Sequence, residues 1–155
     1  TEENTLSLHD ALPISIVSIP VMTDELTLIV APKHRFAAAG MISIKQLGTE
    51  SFVAHNAPSP YRQKVIEAFD RHNTPLNISV ELPSLEAIKK LVQTGDGIAL
   101  VPRLTAKSEI EAGQLAAVSV KEMQLERKLH VVYRKNSELS HAAHEFIKIA
   151  KEIVK

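Results

Sequence analysis

The residues of this 155-residue chain that could do chemistry fall into a few groupings: a glycine pair in LVQTGDGIALVP, two serines ahead of helical segments, and scattered histidines and carboxylates. A Gly-x-Gly can cradle phosphate, but only where it follows a strand and opens a helix, because the helix N-terminus supplies the anion-binding amides. Gly95 and Gly97 have the opposite setting, with a helical pattern before them and an apolar strand-like run after. Leu100 also stands where a third glycine would be. The pair therefore predicts a left-handed helix cap at Gly95 and a tight turn into a strand at Gly97. His141 and His144 in SHAAHEF share a helical face and could offer two metal ligands, yet neither H-E-x-x-H nor H-x-x-E-H surrounds them, and a solvated face is the plainer reading. No serine sits in a G-x-S-x-G elbow, and Glu81, Glu86 and Asp96 form no recognisable acid/base pair.

Ser59, followed by Pro60, and Ser84 each have the pattern of an N-cap. Simple capping accounts for both. If the two helix starts lie on the same edge of a sheet, they would also form a site suited to a small anion. His55 ends the strand-like SFVAH just before the loop NAPSP, and is the histidine placed to face such a site.

The elements that would position these residues alternate along the chain. DELTLIVAP reads as a strand ending at Pro32, SFVAH as a second, and YRQKVIEAFDRHN as a helix with Tyr61, Val65 and Phe69 on one face. NISVEL is strand-like. SLEAIKKLVQT predicts a helix with Leu85, Ile88, Leu91 and Val92 inward and Glu86, Lys89, Lys90 and Gln93 outward. GIALVP has the continuous apolar character of a strand buried on both faces of a parallel sheet. A helix over about 103–112, strands in LAAVSV and KLHVVYRK, and a last helix over about 139–154 complete the pattern, the last with Ala142, Phe146, Ala150 and Ile153 on its apolar stripe. Such alternation predicts an α/β fold with a mostly parallel sheet, whose ligands sit beyond the carboxyl ends of the strands. That edge would gather the loop 54–61, the turn 82–84 and the corner 101–103.

Composition narrows the function classes. A 45% hydrophobic content supports a real core, and the absence of cysteine removes disulfides, thiolate metal sites and thiol nucleophiles. Residues 1–15 hold Glu2, Glu3 and Asp10 but no Lys or Arg, which leaves 18 basic against 15 acidic residues in 16–155. That excess, with four Phe, two Tyr and no Trp, is too small for a nucleic-acid surface or a base-stacking platform. No run approaches the roughly 20 apolar residues of a membrane span, and no signal peptide is legible at the start.

With the elements in this order, DELTLIVAPKHRFA, FVAHNAPSPYRQKVIEAF, SLEAIKKLVQTGDGIALVP and ERKLHVVYRKN resemble the effector-binding domain of LysR-type transcriptional regulators over nearly all of residues 16–155. Arg35 and Phe36 depart from the Pro-Leu usual after the hinge strand. The resemblance implies a type 2 periplasmic-binding-protein-like fold with one complete lobe, residues 32–119, and the closing part of the other, residues 16–31 and 120–155. It further implies a small-molecule effector held by His55, Asn56, Ser59, Ser84 and Pro102, with no cofactor, metal or catalysis. A cytoplasmic protein is expected, a homodimer or tetramer when intact, which reaches DNA only through an N-terminal winged helix-turn-helix that this sequence does not include. A solute receptor of a transporter and an enzyme on the same fold are the competing classes. TLSLHDALPI looks like a translated sequencing adapter, so residues 1–15 are expected to be non-native.

Overall fold

The computed structural model describes residues 15–152, so the adapter-like segment lies outside the described residues except for Ser15. By compactness the chain divides into Asp24–Arg127 and a second unit formed by the residues on either side. It crosses between them inside two long strands, β1 (Ile16–Val30) and β7 (Glu126–Arg134). The sequence reading put the lobe boundaries after residue 31 and before residue 120.

The unit of residues 24–127 is built on β1, β2 (Met41–Ile42), β3 (Ser51–His55), β4 (Asn77–Leu82), β5 (Ala99–Pro102) and β6 (Ala116–Val120). Its helices are α1 (Pro60–Arg71), α2 (Leu85–Thr94) and α3 (Lys107–Glu111). The sheet runs β2-β6-β1-β5, and β3 pairs with β4. Two hydrogen bonds, from Val53 N–H to the Ile98 carbonyl (2.8 Å) and from Ile98 N–H to the Ser51 carbonyl (2.9 Å), join β3 to the start of β5. These pairings are parallel except at β1, which runs antiparallel to both β5 and β6. The apolar run GIALVP therefore has one parallel and one antiparallel neighbour, rather than two parallel ones. Its burial on both faces follows from position and not from parallel pairing: Ile98, Ala99 and Val101 are at most 1% exposed.

Two apolar clusters cover the sheet. Leu28, Val30, Phe52, Val65 and Phe69 belong to one, where the rings of Phe52 and Phe69 meet edge to face at 5.6 Å. Ile29, Val53, Ile88, Val92 and Val101 belong to the other. Adjacent residues of β1 and of β3 thus go to opposite clusters, as the two-residue repeat of a strand requires.

The glycines behave as their setting predicts. Gly95 caps α2 at φ 89°. At Gly97, φ is 148°, and a Cβ would lie 3.0 Å from both the Ser51 carbonyl oxygen and Val53 Cγ2, so this position admits the approach of β3 only without a side chain. The segment expected as one helix over 103–112 is a 3-10 turn, Arg103–Ala106, followed by the short α3. Lys89 corrects the outward face assigned to α2. It is 4% exposed, and its ammonium donates to the Thr105 carbonyl (2.8 Å) and the Glu109 carboxylate (2.7 Å), with Glu86 also at 2.7 Å. A lysine can be buried when every donor is matched in this way.

In the second unit β7 pairs with β1, Lys135 N–H bonds the Ser15 carbonyl at 2.7 Å, and the Ser18 hydroxyl meets His130 Nδ1 at 2.8 Å. The helix α4 (His141–Glu152) has no buried residue. Its half-buried positions are Ala143, Ile147 and Ala150. The stripe expected through Ala142 and Phe146 faces outward instead, with Phe146 62% exposed, and Ile153 lies outside the described residues. His141 and His144 are exposed. Among the described residues no helix is long and apolar enough to cross a membrane, and no group of three or more His, Asp or Glu is arranged to hold a metal ion.

Candidate effector site

The carboxyl ends of β3, β4 and β5 bring His55, Leu82 and Pro102 to one edge of the unit of residues 24–127. Because β1 runs the opposite way, its entering end reaches that same edge, where Leu26 pairs with Pro102. A cavity of about 320 Å³ opens here. Phe52, Val65, Leu76 and Ile78 line its apolar depth, and Leu26 and Leu100 line it from β1 and β5. Its polar lining comes from His55, Ser59, Tyr61, Arg62 and Arg127.

The loop between β3 and α1 is fixed by local bonds that follow from its sequence. His55 Nδ1 accepts the Ala57 N–H at 3.0 Å, Asn56 N–H bonds the Leu82 carbonyl at 3.0 Å, and the Ser59 hydroxyl caps α1 by accepting the Arg62 N–H at 3.1 Å. Pro60 occupies the first helical position, where no backbone donor is needed. Arg62 then folds back over the loop. It donates to the His55 carbonyl at 2.7 Å and forms an ion pair with Glu81 of β4, so its positive charge is already matched.

Arg127 closes the other side. Its guanidinium carbon lies 5.9 Å from the centre of the Tyr61 ring, and its Nε is 3.9 Å from Asp24 Oδ2. Asp24 is itself buried. Its Oδ1 accepts the N–H groups of Glu25 (2.8 Å) and Leu104 (3.2 Å), which ties β1 to the turn after Pro102.

Of the five residues singled out in the sequence, His55, Ser59 and Pro102 line this cavity together. Asn56 lines an adjoining recess with Ser59, Arg62 and Glu81. Ser84 lines neither. It caps α2 with a long 3.5 Å bond from Ala87 N–H, and Leu85 beside it reaches the cavity. Leu26, Arg62, Leu100 and Arg127 were not anticipated, whereas Tyr61 ends the loop 54–61 expected on this edge. Arg62 could have been flagged, since it lies three residues from a capping serine in a loop already marked as a site. Leu26 and Arg127 carry no local signal, because they arrive through the reversed strand and the long return to β7.

Strand order, layering and a cavity beyond the carboxyl ends of the strands define the class: an α/β domain of the periplasmic-binding-protein type. The family model described as LysR substrate binding domain matches residues 6–155, and the chain belongs to that family. A probable RuBisCO transcriptional regulator from Cyanidioschyzon merolae is 33% identical over 144 residues, 88% of this chain and 47% of the relative. An uncharacterized HTH-type transcriptional regulator, YeiE of Escherichia coli, is 30% identical over 85% of this chain and 45% of its own length. The chain thus spans about half the length of these relatives. Among solved structures, the Synechocystis CcmR regulatory domain in complex with 2-PG superposes with a TM-score of 0.78 at 26% identity, covering 93% of this chain and 69% of that one. The effector binding domain of QuiR in complex with shikimate gives 0.73 at 22% identity over 93% and 68%, a likeness of fold.

Proposed function

We propose that the chain is the effector-sensing part of a LysR-type transcription regulator, and that the cavity described above is its effector site. The observation that carries this reading is the convergence of His55, Ser59 and Pro102, from two loops chosen in the sequence, around one space with an apolar floor and a polar rim. That combination suits a small molecule bound by shape and a few directed contacts. The complexes of CcmR with 2-PG and of QuiR with shikimate support it from related folds.

In this reading residues 24–127 are one lobe of the effector domain, and residues 15–23 and 128–152 belong to the other. Ligand binding favours one lobe arrangement over another. The longer protein, a cytoplasmic homodimer or tetramer, transmits that preference to a DNA-binding domain, and the role is binding without catalysis. Asn56 and Ser84 act as support for the loop and for α2.

The test is a thermal-shift screen of the 155-residue chain against small metabolites, with 2-PG and shikimate included, followed by the same screen on Leu100→Trp, which fills the cavity. A ligand at 100 times its Kd stabilises by about 2.7 kcal/mol. The reading expects a hit that L100W abolishes. A hit indifferent to L100W, or no hit at all, argues against this cavity as the effector site.

A further inference from the structure

Two arginines line the cavity and no carboxylate does, yet the two are not equivalent. Arg62 is committed to the His55 carbonyl and to Glu81. Arg127 has no hydrogen-bonded acceptor among the described residues: its nearest carboxylate oxygen, Asp24 Oδ2, is 3.9 Å away, beyond hydrogen-bond length. The Arg127 side chain is 27% exposed, against 4% for Asp24. Asp24 is anchored through Oδ1 to two backbone N–H groups, so it cannot swing toward the arginine without losing them. The result is a guanidinium held near a fixed counter-charge, close enough to be attracted and too far to be satisfied.

Resting on the reading of this cavity as a ligand site, we propose that Arg127 selects the ligand's charge: the site takes a compact molecule with one carboxylate on an apolar body. The carboxylate meets the planar donor fork of Arg127, a geometry that favours two parallel bonds. The apolar body lies against Phe52, Val65, Ile78 and Leu100. Asp24 is the standing competitor. Its charge draws Arg127 toward itself and weakens the grip on any incoming anion, so it sets affinity in the opposite direction from Arg127.

The experiment is calorimetric titration of the 155-residue chain with two matched pairs, phenylacetate against phenylacetamide and hexanoate against hexanamide. Each carboxylate is expected to bind about ten-fold or more tightly than its amide. Arg127→Gln should remove that preference, and Arg127→Lys should retain part of it, since the charge stays while the fork is lost. Asp24→Asn keeps an oxygen for the two N–H groups and should tighten carboxylate binding about three-fold without moving the amides. Circular dichroism confirms that each variant is folded, and R127K carries the test if R127Q is not. Equal binding of carboxylates and amides overturns the charge selection and leaves the cavity as a ligand site. Binding of neither class removes both readings. Weaker carboxylate binding by D24N would show Asp24 to be a support for Arg127 rather than a competitor, and the proposal would fall on that point.

Discussion

Helix α2 seats Ile88 and Val92 at 1% and 0% exposure, while α4, two residues longer and also striped with apolar side chains, leaves Phe146 62% and Ile149 54% exposed. The difference lies in what each stripe meets. Below α2 stand Val53, Ala99 and Val101, inward residues of two strands. Around α4 no residue of the helix is buried, and the strand β7 of the same unit only alternates between exposed and half-buried. A helical stripe read from sequence records the capacity to bury apolar surface, whereas the free energy comes from the area actually removed from water. The stability of the described residues is therefore concentrated in residues 24–127.

Substitutions should expose that imbalance in graded steps. Phe69→Ala removes a ring that is 1% exposed and stacked edge to face on Phe52, and is expected to cost about 3–5 kcal/mol in urea unfolding. A loss under about 1 kcal/mol would mean that the first cluster is less tightly filled than its burial indicates. Lys89→Met keeps the buried stem but removes the ammonium that donates to the Thr105 carbonyl and to Glu109 Oε1, for a loss of about 2 kcal/mol.

The same lysine links residues 24–127 to pH. Burial opposes its charge, but hydrogen bonds to Glu109 and Glu86 outweigh that, and its pKa is raised above the ordinary lysine value. Its hydrogen bond to Glu109, helped by the Glu109 backbone N–H and the Ser108 hydroxyl, lowers the pKa of that carboxyl. Backbone N–H of Ile44 and the Ser43 hydroxyl lower that of Glu122 in the same direction. A lowered carboxyl stabilises the fold above its unfolded pKa, and the contribution is lost as pH falls through the folded value. A raised lysine contributes fully below its unfolded pKa and loses the contribution as pH rises through the folded one. Melting temperature should accordingly fall from about pH 4.5 downward. Glu109→Gln should flatten part of that acid limb. An unchanged acid limb in E109Q would assign the effect to Glu122 and other carboxylates.

Smaller effects complete the series. Ser59→Ala frees the Arg62 N–H at the start of α1 and should cost about 1 kcal/mol, read from the same urea curves. Phe146→Ala should change stability by no more than about 0.5 kcal/mol. A loss comparable to that of F69A would show that α4 is covered in solution and would erase the contrast between the two helices.

Much of this arrangement is legible in the sequence because it is local. N-caps, the left-handed cap at Gly95 and the alternation of strand and helix each depend on a few neighbouring residues, and the strand ends then place His55, Ser59 and Pro102 on one edge. What escapes depends on partners far along the chain. Lys89 looks solvent-facing until Glu109 and the Thr105 carbonyl arrive from the turn after β5. Arg127 looks like one more strand residue until the reversal of β1 brings Asp24 beside it. The apolar face of α4 is misplaced for the converse reason, since periodicity names a stripe but only packing chooses the side that is covered.

The central position of β1 also sets a schedule for synthesis. Leu28 faces Leu100 across the β1–β5 ladder, 72 residues on in the chain, and Val118 across the β1–β6 ladder, 90 residues on. At roughly 5–20 residues per second, the apolar run of β1 waits about 4–14 s after leaving the ribosome before its first partner, β5, is made. During that interval LTLIVA is an unpaired strand of the kind that templates aggregation. Production of this domain should thus depend on how well a chaperone shields that one segment, more than on the stability of the finished fold.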